Sequence, residues 1–266
     1  MALTQAETKK TRSLQTKKGR RATGAYPAEG VRLLEESLRL GALPIIVYAA
    51  MSLLSERGRR LVERFGEAGV KVRPVSAREM ERIAGTTTSP GVLGVFDTPE
   101  VVLDKLWLPS ARTILLCEHV SDPGNLGTLA RSALAFDIDL MILADNCAEP
   151  FAPKAVRSSM GALFALPVAE STTKDVLAQI RQRDAVLIAA DVQGSEDMAA
   201  VLARHEQETI VLAIGSEADG LSEMTLKTAQ EHIRIAHSTQ VESLNAAVAG
   251  SICMNEMYRY RNRRRK

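Results

Sequence analysis

The sequence lacks any apolar run long enough to cross a membrane. No stretch approaches the ~18 consecutive apolar residues that a membrane helix needs. The first residues also lack the apolar core of a signal peptide, because Glu7 and several Lys and Arg residues occupy that region. We therefore expect a protein that works in the cytoplasm and does not bind a membrane.

Cysteine and histidine are scarce. The chain has 3 cysteines, an odd number that suits a reducing compartment, and 4 scattered histidines. None of them follows the spacing of a metal site, so no metal is expected. The sequence also has neither the glycine fingerprint of a dinucleotide-binding loop nor a P-loop. A nicotinamide-dependent oxidoreductase would fit the α/β pattern described below but lacks that fingerprint.

Acidic residues are absent from the C-terminal end and almost absent from the N-terminal end. Residues 1–25 carry a net charge of +6 and residues 258–266 also carry +6, which leaves residues 26–257 at −10 within a total of +2. Positive charge kept at the ends predicts binding to a polyanion such as RNA, although such ends can also serve only solubility. The N-terminal residues expected to contact RNA are Lys17, Lys18, Arg20 and Arg21.

Helical and strand patterns alternate along the whole chain. An amphipathic helix is predicted over 28–40, followed by short apolar strands at 44–48, 70–73 and 92–96 with helices between them. From residue 113 onward, near-continuous apolar strands predict a mostly parallel sheet with helices on both faces. We expect a basic lead (1–25), a small α/β domain (26–105) and a larger α/β domain with a basic tail (106–266).

Three loops of the larger domain follow predicted strands, where open α/β sheets bind their ligands. The first runs from Asp122 to Arg131 and opens a helix on which Gly127 and Arg131 share one flank. Arg131 there could hold a phosphate, or it could be an ordinary surface arginine. The second loop is Gly-Ser-Glu-Ala-Asp-Gly-Leu-Ser, residues 215–222.

The third stretch is Val-Glu-Ser-Leu-Asn-Ala-Ala-Val-Ala-Gly, residues 241–250, after the β-like run Ile-Arg-Ile at 233–235. Ser243 and Asn245 precede a helical pattern and therefore lie at a helix N-terminus. Unpaired N–H groups at such an end suit an anion, but Ser and Asn are also ordinary N-cap residues. Both interpretations stay open on the sequence alone.

Taken together and in this order, Asn-x-Gly-x-x-x-Arg, Gly-Ser-Glu-x-x-Gly-Leu and Glu-Ser-Leu-Asn-x-x-Val-Ala resemble the three motifs of the SpoU (TrmH-like) branch of the SPOUT RNA methyltransferases. The resemblance covers about 112–257 and includes Lys154, Arg157 and the segment 158–164. The first 105 residues look like the ribosomal-protein-like RNA-binding domain that often precedes this catalytic domain, on the weaker basis of Lys18-Gly19-Arg20 and Glu29-Gly30-Val31.

The resemblance implies methyl transfer from S-adenosylmethionine to a ribose 2′-hydroxyl of structured rRNA or tRNA, rRNA being favoured. It also implies a trefoil knot and a homodimer, with Arg131 able to act across the dimer. The implied catalytic residues are Asn125, Arg131, Glu217, Ser243 and Asn245. The implied cofactor-binding residues are Gly215, Ile235 and Leu244. Arg157 joins the expected RNA contacts. Because an arginine free base is nearly inaccessible, we expect Arg131 to orient the substrate nucleotide.

One departure from the family pattern lies beside the implied cofactor site. The family usually has Ile-Pro-Met where this chain has Ile235-Ala236-His237. Losing the proline removes a fixed φ from a turn that should be rigid. This keeps open an alternative function, that of an RNA- or ribosome-binding protein without catalytic activity.

Overall fold

The computed structural model describes residues 2–86, 88–216, 218–238 and 240–263. The chain folds as two compact units. The first contains Met1–Pro99 and a later segment, Glu149–Ala165, and the second contains Glu100–Ala148 and Leu166–Lys266. The sequence pattern had assigned that later segment to the second domain.

Elements are numbered along the chain. The strands are β1 (Ala25–Glu29), β2 (Ile46–Ala49), β3 (Lys71–Pro74), β4 (Val92–Asp97), β5 (Thr113–Cys117), β6 (Leu140–Leu143), β7 (Val168–Glu170), β8 (Val186–Ala190), β9 (Ile210–Ile214) and β10 (Glu231–Ile233). The helices are α1 (Gln5–Ser13), α2 (Lys17–Thr23), α3 (Val31–Arg39), α4 (Glu56–Glu67), α5 (Ala77–Ile83), α6 (Leu103–Leu106), α7 (Pro123–Ala135), α8 (Pro153–Ser158), α9 (Thr173–Gln182), α10 (Met198–Arg204), α11 (Glu223–Thr228) and α12 (Ala246–Arg263).

The first unit is built on a mixed sheet in the order β1-β4-β2-β3. Strand β1 was missed by the sequence pattern, which placed a helix over 28–40. All five residues of β1 are buried against β4, and the helix begins only at Val31, after Gly30 with a φ of 111°. The strand was hard to detect because Ala-Tyr-Pro-Ala-Glu contains no β-branched residue.

The basic N-terminal residues are folded rather than a separate lead. They form α1 and α2, and Thr4 caps α1 through a capping box with Glu7. Leu14, between the two helices, is 3% exposed, and the hydroxyl of Thr11 donates to the Tyr48 hydroxyl oxygen at 3.2 Å. The buried residues fix these helices within the first unit.

Aromatic side chains explain why the later segment belongs to the first unit. Phe151 packs on Tyr26 of β1, and Phe164 packs on Phe96 of β4, each pair with ring centroids 4.8 Å apart. The rings of Tyr26 and Phe96 also stack on each other at 5.5 Å. This buried cluster connects residues that are far apart in the sequence, so no local pattern could reveal it.

The second unit contains a parallel sheet in the order β10-β8-β9-β5-β6-β7, which confirms the predicted fold class. Strands β5 and β9 are buried at every position, as expected for a sheet covered on both faces. The last strand ends at Ile233, two residues earlier than predicted. The sequence pattern did not predict the short helices α10 and α11. No helix in the described part of the chain has the length and apolarity to cross a bilayer.

Candidate active site

A cleft of about 650 Å³ opens at the carboxyl ends of three neighbouring strands of the second unit, β10, β8 and β9. Its walls come from the loops that follow these strands and from the beginning of α12. This is the edge where open parallel sheets bind ligands, and the volume lies in the range of small-molecule sites. Predicted cofactor residues Gly215, Ile235 and Leu244 all line the cleft, as does Ser243.

The loop after β9, residues 215–222 and here called the β9 loop, is closed by its own backbone. Ser216 and Gly220 exchange two backbone hydrogen bonds, at 3.2 and 3.0 Å. A Cβ on Gly215 would lie 2.1 Å from the carbonyl carbon of Gly220, so only glycine fits there. The glycine predicted to approach the cofactor is therefore also required by the turn itself. Glu217, predicted to be catalytic, lies outside the described residues.

Asn245 is the N-cap of α12. Its Oδ1 accepts hydrogen bonds from the backbone N–H groups of Ala247 and Val248, at 3.0 and 3.2 Å. The structure thus favours the N-cap interpretation over a bound anion at this helix end, because the asparagine already satisfies these donors. Ser243 and Leu244 precede the cap and form the wall of the cleft.

Helix α7 is also capped by its own sequence. Asp122 accepts from the N–H groups of Gly124 and Asn125, at 2.7 and 3.0 Å, and Pro123 occupies the first helical position. The Asp122 carboxylate therefore satisfies two of the first backbone N–H groups of α7. Asn125, in the first turn, accepts a hydrogen bond from Nδ2 of Asn245 at 3.1 Å. Two predicted catalytic residues are thus joined directly.

Arg131 lies further along α7, with its side chain exposed. It shares the flank of Gly127, as the four-residue spacing predicts. Arg131 is not part of the cleft wall formed by the described residues. The structure therefore places it on the same helix as Asn125 but leaves it directed to solvent.

The lining of the cleft is mixed in character. The lining contains apolar residues such as Ile214 and Leu226 together with charged residues. Its acidic residues, Asp191, Asp219 and Glu242, are more numerous than its basic residue Arg234. His237, the residue that departs from the family pattern, also lines the cleft, and its Nδ1 lies 3.0 Å from the carbonyl oxygen of Ser238. The lining therefore offers a ligand both apolar contacts and charged groups.

The cysteines near this edge of the sheet are poor nucleophiles. Burial raises the pKa of the Cys147 thiol to about 11, and that of Cys117 well above its ordinary value. At neutral pH both are therefore thiols rather than thiolates. Neither cysteine is among the described residues that line the cleft.

The residues expected to contact RNA do not behave alike. Lys17, Lys18 and Arg21 are exposed on α2, and Arg157 is half-buried on α8 of the same unit. Arg20 is different, because its side chain is only 5% exposed.

Arg20 forms a two-pronged ion pair with Glu149, with N–O distances of 2.9 and 2.7 Å, and donates from Nη1 to the carbonyl oxygen of Leu14 at 2.7 Å. Its guanidinium is therefore committed to holding the later segment in the first unit, and we do not propose it as an RNA contact.

Two parts of the site were missed by the sequence analysis. The loop after β8, residues 191–193, lines the cleft, and its position after a predicted strand was the available signal. Glu118, the first residue after β5, is fully buried and accepts a hydrogen bond from the backbone N–H of Ser222 in the β9 loop. Nothing in the local pattern around Glu118 distinguishes it from a surface loop residue.

Residues 112–255, which contain this cleft and all three motifs, match the SpoU rRNA Methylase family. The chain belongs to this family. Residues 5–94 match the MRM3-like substrate binding domain, which lies within the first unit.

Relatives of this SpoU family chain extend over nearly its whole length. An uncharacterized tRNA/rRNA methyltransferase of Synechocystis is 31% identical over 94% of this chain and 90% of its own length. The 23S rRNA guanosine 2′-O-methyltransferase RlmP of Bacillus subtilis is 29% identical over 91% of each chain. The AdoMet-bound rRNA methyltransferase of Sinorhizobium meliloti superposes with a TM-score of 0.83 at 28% identity, covering 98% of this chain and 97% of that one.

Proposed function

We propose that this SpoU family protein transfers a methyl group from S-adenosylmethionine to a ribose 2′-hydroxyl of structured RNA, with ribosomal RNA as the first candidate. The observation that carries the proposal is the Asn245–Asn125 hydrogen bond of 3.1 Å, which joins the first and third motifs beside the cleft. The rRNA preference rests on the relatives, among which RlmP and the Sinorhizobium meliloti protein are named for rRNA.

The cleft fits the cofactor in size and chemistry. Gly215, Ile235 and Leu244 would hold it, largely through their backbone, while the acidic groups Asp191 and Glu242 suit a cation. S-adenosylmethionine supplies an already activated methyl group on a sulfonium. The chain therefore needs to bind and orient the two substrates and to remove one hydroxyl proton.

The predicted catalytic residues divide this work. Asn125 of the first motif and Asn245 of the third hold each other in a fixed orientation through their hydrogen bond. Ser243 lies in the wall of the cleft. Arg131, exposed and always charged, orients a phosphate or ribose of the RNA. We assign the proton path to Ser243 or Glu217, acting through water.

RNA recognition belongs to the first unit in this proposal. The exposed cations Lys17, Lys18 and Arg21 on α2, together with Arg157 on α8, would contact phosphates. Phosphate contacts of this kind supply affinity and register without reading the sequence. The match of residues 5–94 to a substrate binding domain supports this division of labour.

The resemblance also implies a cytoplasmic homodimer whose C-terminal chain passes through a trefoil knot, and we include all three in the proposal. Light scattering at micromolar concentration tests the dimer. A monomer mass would remove any catalytic site shared between subunits.

The experiment that tests the activity is methyl-site mapping of ribosomal RNA from a strain that lacks this protein. One ribose methyl group should be lost and then restored by the wild-type gene. Purified protein with S-adenosylmethionine should methylate that same position on RNA from the deletion strain. Unchanged rRNA and tRNA methylation in the deletion strain would contradict the proposal.

A second candidate, an RNA- or ribosome-binding protein without catalysis, rests on the departure Ala236-His237 from the family pattern, of which His237 lines the cleft. Calorimetric titration with S-adenosylmethionine separates the two. Binding in the micromolar range supports the enzyme, whereas no binding at millimolar cofactor together with retained rRNA binding supports the second candidate.

A further inference from the structure

Glu118 is a buried carboxylate that has no cationic partner among the residues that the structure describes. Glu118, the first residue after β5, has an exposed fraction of 0%. Within the described part of the chain no Lys or Arg forms an ion pair with it. A buried carboxylate is costly unless hydrogen bonds replace its lost hydration, so its donors indicate why it is there.

Two donors from distant parts of the second unit meet at this carboxylate. The hydroxyl of Thr173, at the start of α9, donates to Oε1 at 2.7 Å. The backbone N–H of Ser222 donates to Oε2 at 2.9 Å. The backbone N–H of Glu118 itself donates to the carbonyl oxygen of Ile214, the last residue of β9, at 3.0 Å. Glu118 is therefore hydrogen-bonded to Ile214, which precedes the β9 loop, and to Ser222, which is the last residue of that loop.

These bonds bear directly on the shape of the cleft. Ser222 is the last residue of the β9 loop and the N-cap of α11. Leu221, directly before it, and Leu226, one helical turn after it, both line the cleft. The two backbone hydrogen bonds between Ser216 and Gly220 close the loop on itself, but they do not attach it to the sheet. The bond from Ser222 to Glu118 provides that attachment.

We propose that Glu118 is a positioning residue, which holds the β9 loop in the form that binds S-adenosylmethionine. This inference rests on the proposed function. Glu118 acts through Ser222 and does not touch the reacting atoms.

Hydrogen bonding, rather than charge, is the property that this role requires. In Glu118→Gln the amide oxygen can still accept from Ser222, and the Thr173 hydroxyl can rotate to accept from the new NH2 group. In Glu118→Ala the Ser222 N–H is left without an acceptor in a buried place, which is the costly situation for a donor. Comparing the two variants therefore shows whether the hydrogen bond to Ser222 or the negative charge of Glu118 is required.

The same strand offers a matched control at its opposite end. Asp139 accepts from the backbone N–H groups of Arg112 and Thr113, both at 2.8 Å, and from the Thr113 hydroxyl at 2.9 Å. Asp139 thus holds the start of β5 through hydrogen bonds, whereas Glu118 follows the other end of this strand. Asp139 is not among the described residues that line the cleft. Asp139→Ala should loosen the same sheet without touching the β9 loop.

The test uses the full chain and combines S-adenosylmethionine calorimetry with amide hydrogen exchange in the absence of cofactor. We expect Glu118→Ala to weaken cofactor binding about tenfold and to speed exchange at Ser222, while Glu118→Gln stays within about threefold of wild type. Asp139→Ala should speed exchange at Thr113 and leave the cofactor Kd unchanged. The KM for S-adenosylmethionine should rise in Glu118→Ala while the KM for RNA does not.

Several outcomes would overturn the inference. Unchanged Ser222 exchange in Glu118→Ala, or an equal decrease of cofactor affinity in Asp139→Ala, would reduce Glu118 to a general stabilising residue. If Glu118→Ala does not fold, exchange in the wild-type protein still tests the anchor, because the hydrogen-bonded Ser222 N–H should exchange more slowly than the exposed Ala218 N–H, and equal rates would count against it. Failure of the wild-type protein to bind S-adenosylmethionine would instead refute the proposed function, which the exchange measurement does not depend on.

Discussion

The side-chain amide of Asn245 donates to Oδ1 of Asn125 at 3.1 Å, although the two residues lie 120 positions apart. One end of the Asn245 amide caps α12, and the other end bonds to the first turn of α7. A single side chain therefore sets both the beginning of the last helix and its junction with the first motif. This double role can be separated by substitution.

Asn245→Asp retains an oxygen that caps Ala247 and Val248 but replaces the Nδ2 donor with an acceptor. We expect a thermal midpoint near that of wild type, because aspartate is an equally good N-cap, and a fall in kcat of roughly tenfold to a hundredfold because the orientation of the pair is lost.

Asn245→Ala removes both roles and should also cost about 1 kcal/mol of stability. Asn125→Asp is the matched control, since its carboxylate still accepts from Asn245 and should retain most of the activity. Equal kcat in Asn245→Asp and wild type would show that the bond between the two amides is not needed for turnover.

Arg131 is exposed on α7 and should matter more for turnover than for cofactor affinity. We expect Arg131→Ala to lower kcat by roughly a hundredfold or more, as loss of positioning can, with an unchanged Kd for S-adenosylmethionine. Arg131→Lys should not restore activity, because a point charge does not replace a planar fork of donors. Lys174→Ala, an exposed cation on α9, controls for net charge. Full activity of either Arg131 variant would refute this assignment.

The cations of α2 should contribute to RNA binding according to their exposure. Replacing Lys17, Lys18 and Arg21 by alanine should weaken RNA binding and lower the slope of log K against log salt by about one for each phosphate that the protein no longer neutralises. The fold should be unaffected, because all three side chains are exposed. An unchanged salt slope would limit these residues to solubility.

Arg20 is the internal control for that experiment. Arg20→Met leaves Glu149 without its partner and should cost about 3 kcal/mol or more in chemical denaturation. The double variant Arg20→Met/Glu149→Leu should regain much of that stability, because no unpaired charge stays buried. Its salt slope should equal that of wild type, and a lower slope would mean that Arg20 contacts RNA after all.

Ala236→Pro restores the residue usual in the family and should tighten S-adenosylmethionine binding several-fold. Proline removes conformations from the free loop, a gain of about 1 kcal/mol where its φ is compatible. No hydrogen bond is lost within the described residues, because the Ala236 N–H donates to none of them. Calorimetry on both proteins measures the change, and weaker binding of the proline variant would show that this turn has diverged from the family form.

Gly250 determines how closely α12 approaches α7. A Cβ at this position would lie 2.5 Å from Cδ2 of Leu129, which is completely buried. We expect Gly250→Ala to destabilise the protein by about 1–3 kcal/mol through overpacking. Gly66→Ala on α4 is the control, since its Cβ meets nothing within 4 Å and helix propensity should stabilise it by about 0.5–1 kcal/mol. Equal effects of the two substitutions, measured by urea denaturation, would exclude a packing role.

The sequence by itself determined the α/β class, most strands of the parallel sheet and two of the loops that line the cleft, those after β9 and β10. Strand β5 begins at residue 113, where the sequence pattern predicted the first strand of the parallel sheet, because a buried parallel strand is a short, continuous apolar run. The loops that follow parallel strands lie at one edge of the sheet. Gly215, Ile235 and Leu244, which the resemblance to the SpoU family implies as cofactor-binding residues, all line the cleft at that edge.

Only the tertiary structure decided which polar residues have distant partners. Arg20 has the same local surroundings as Lys18 and Arg21, yet a carboxylate 129 residues away makes it a buried structural residue. Glu118 resembles a loop residue until Ser222, 104 positions later, is seen to donate to it. Periodicity and propensity report only a residue's neighbours in sequence. The free energy of a charged side chain depends on burial and on partners, which the folded chain alone provides.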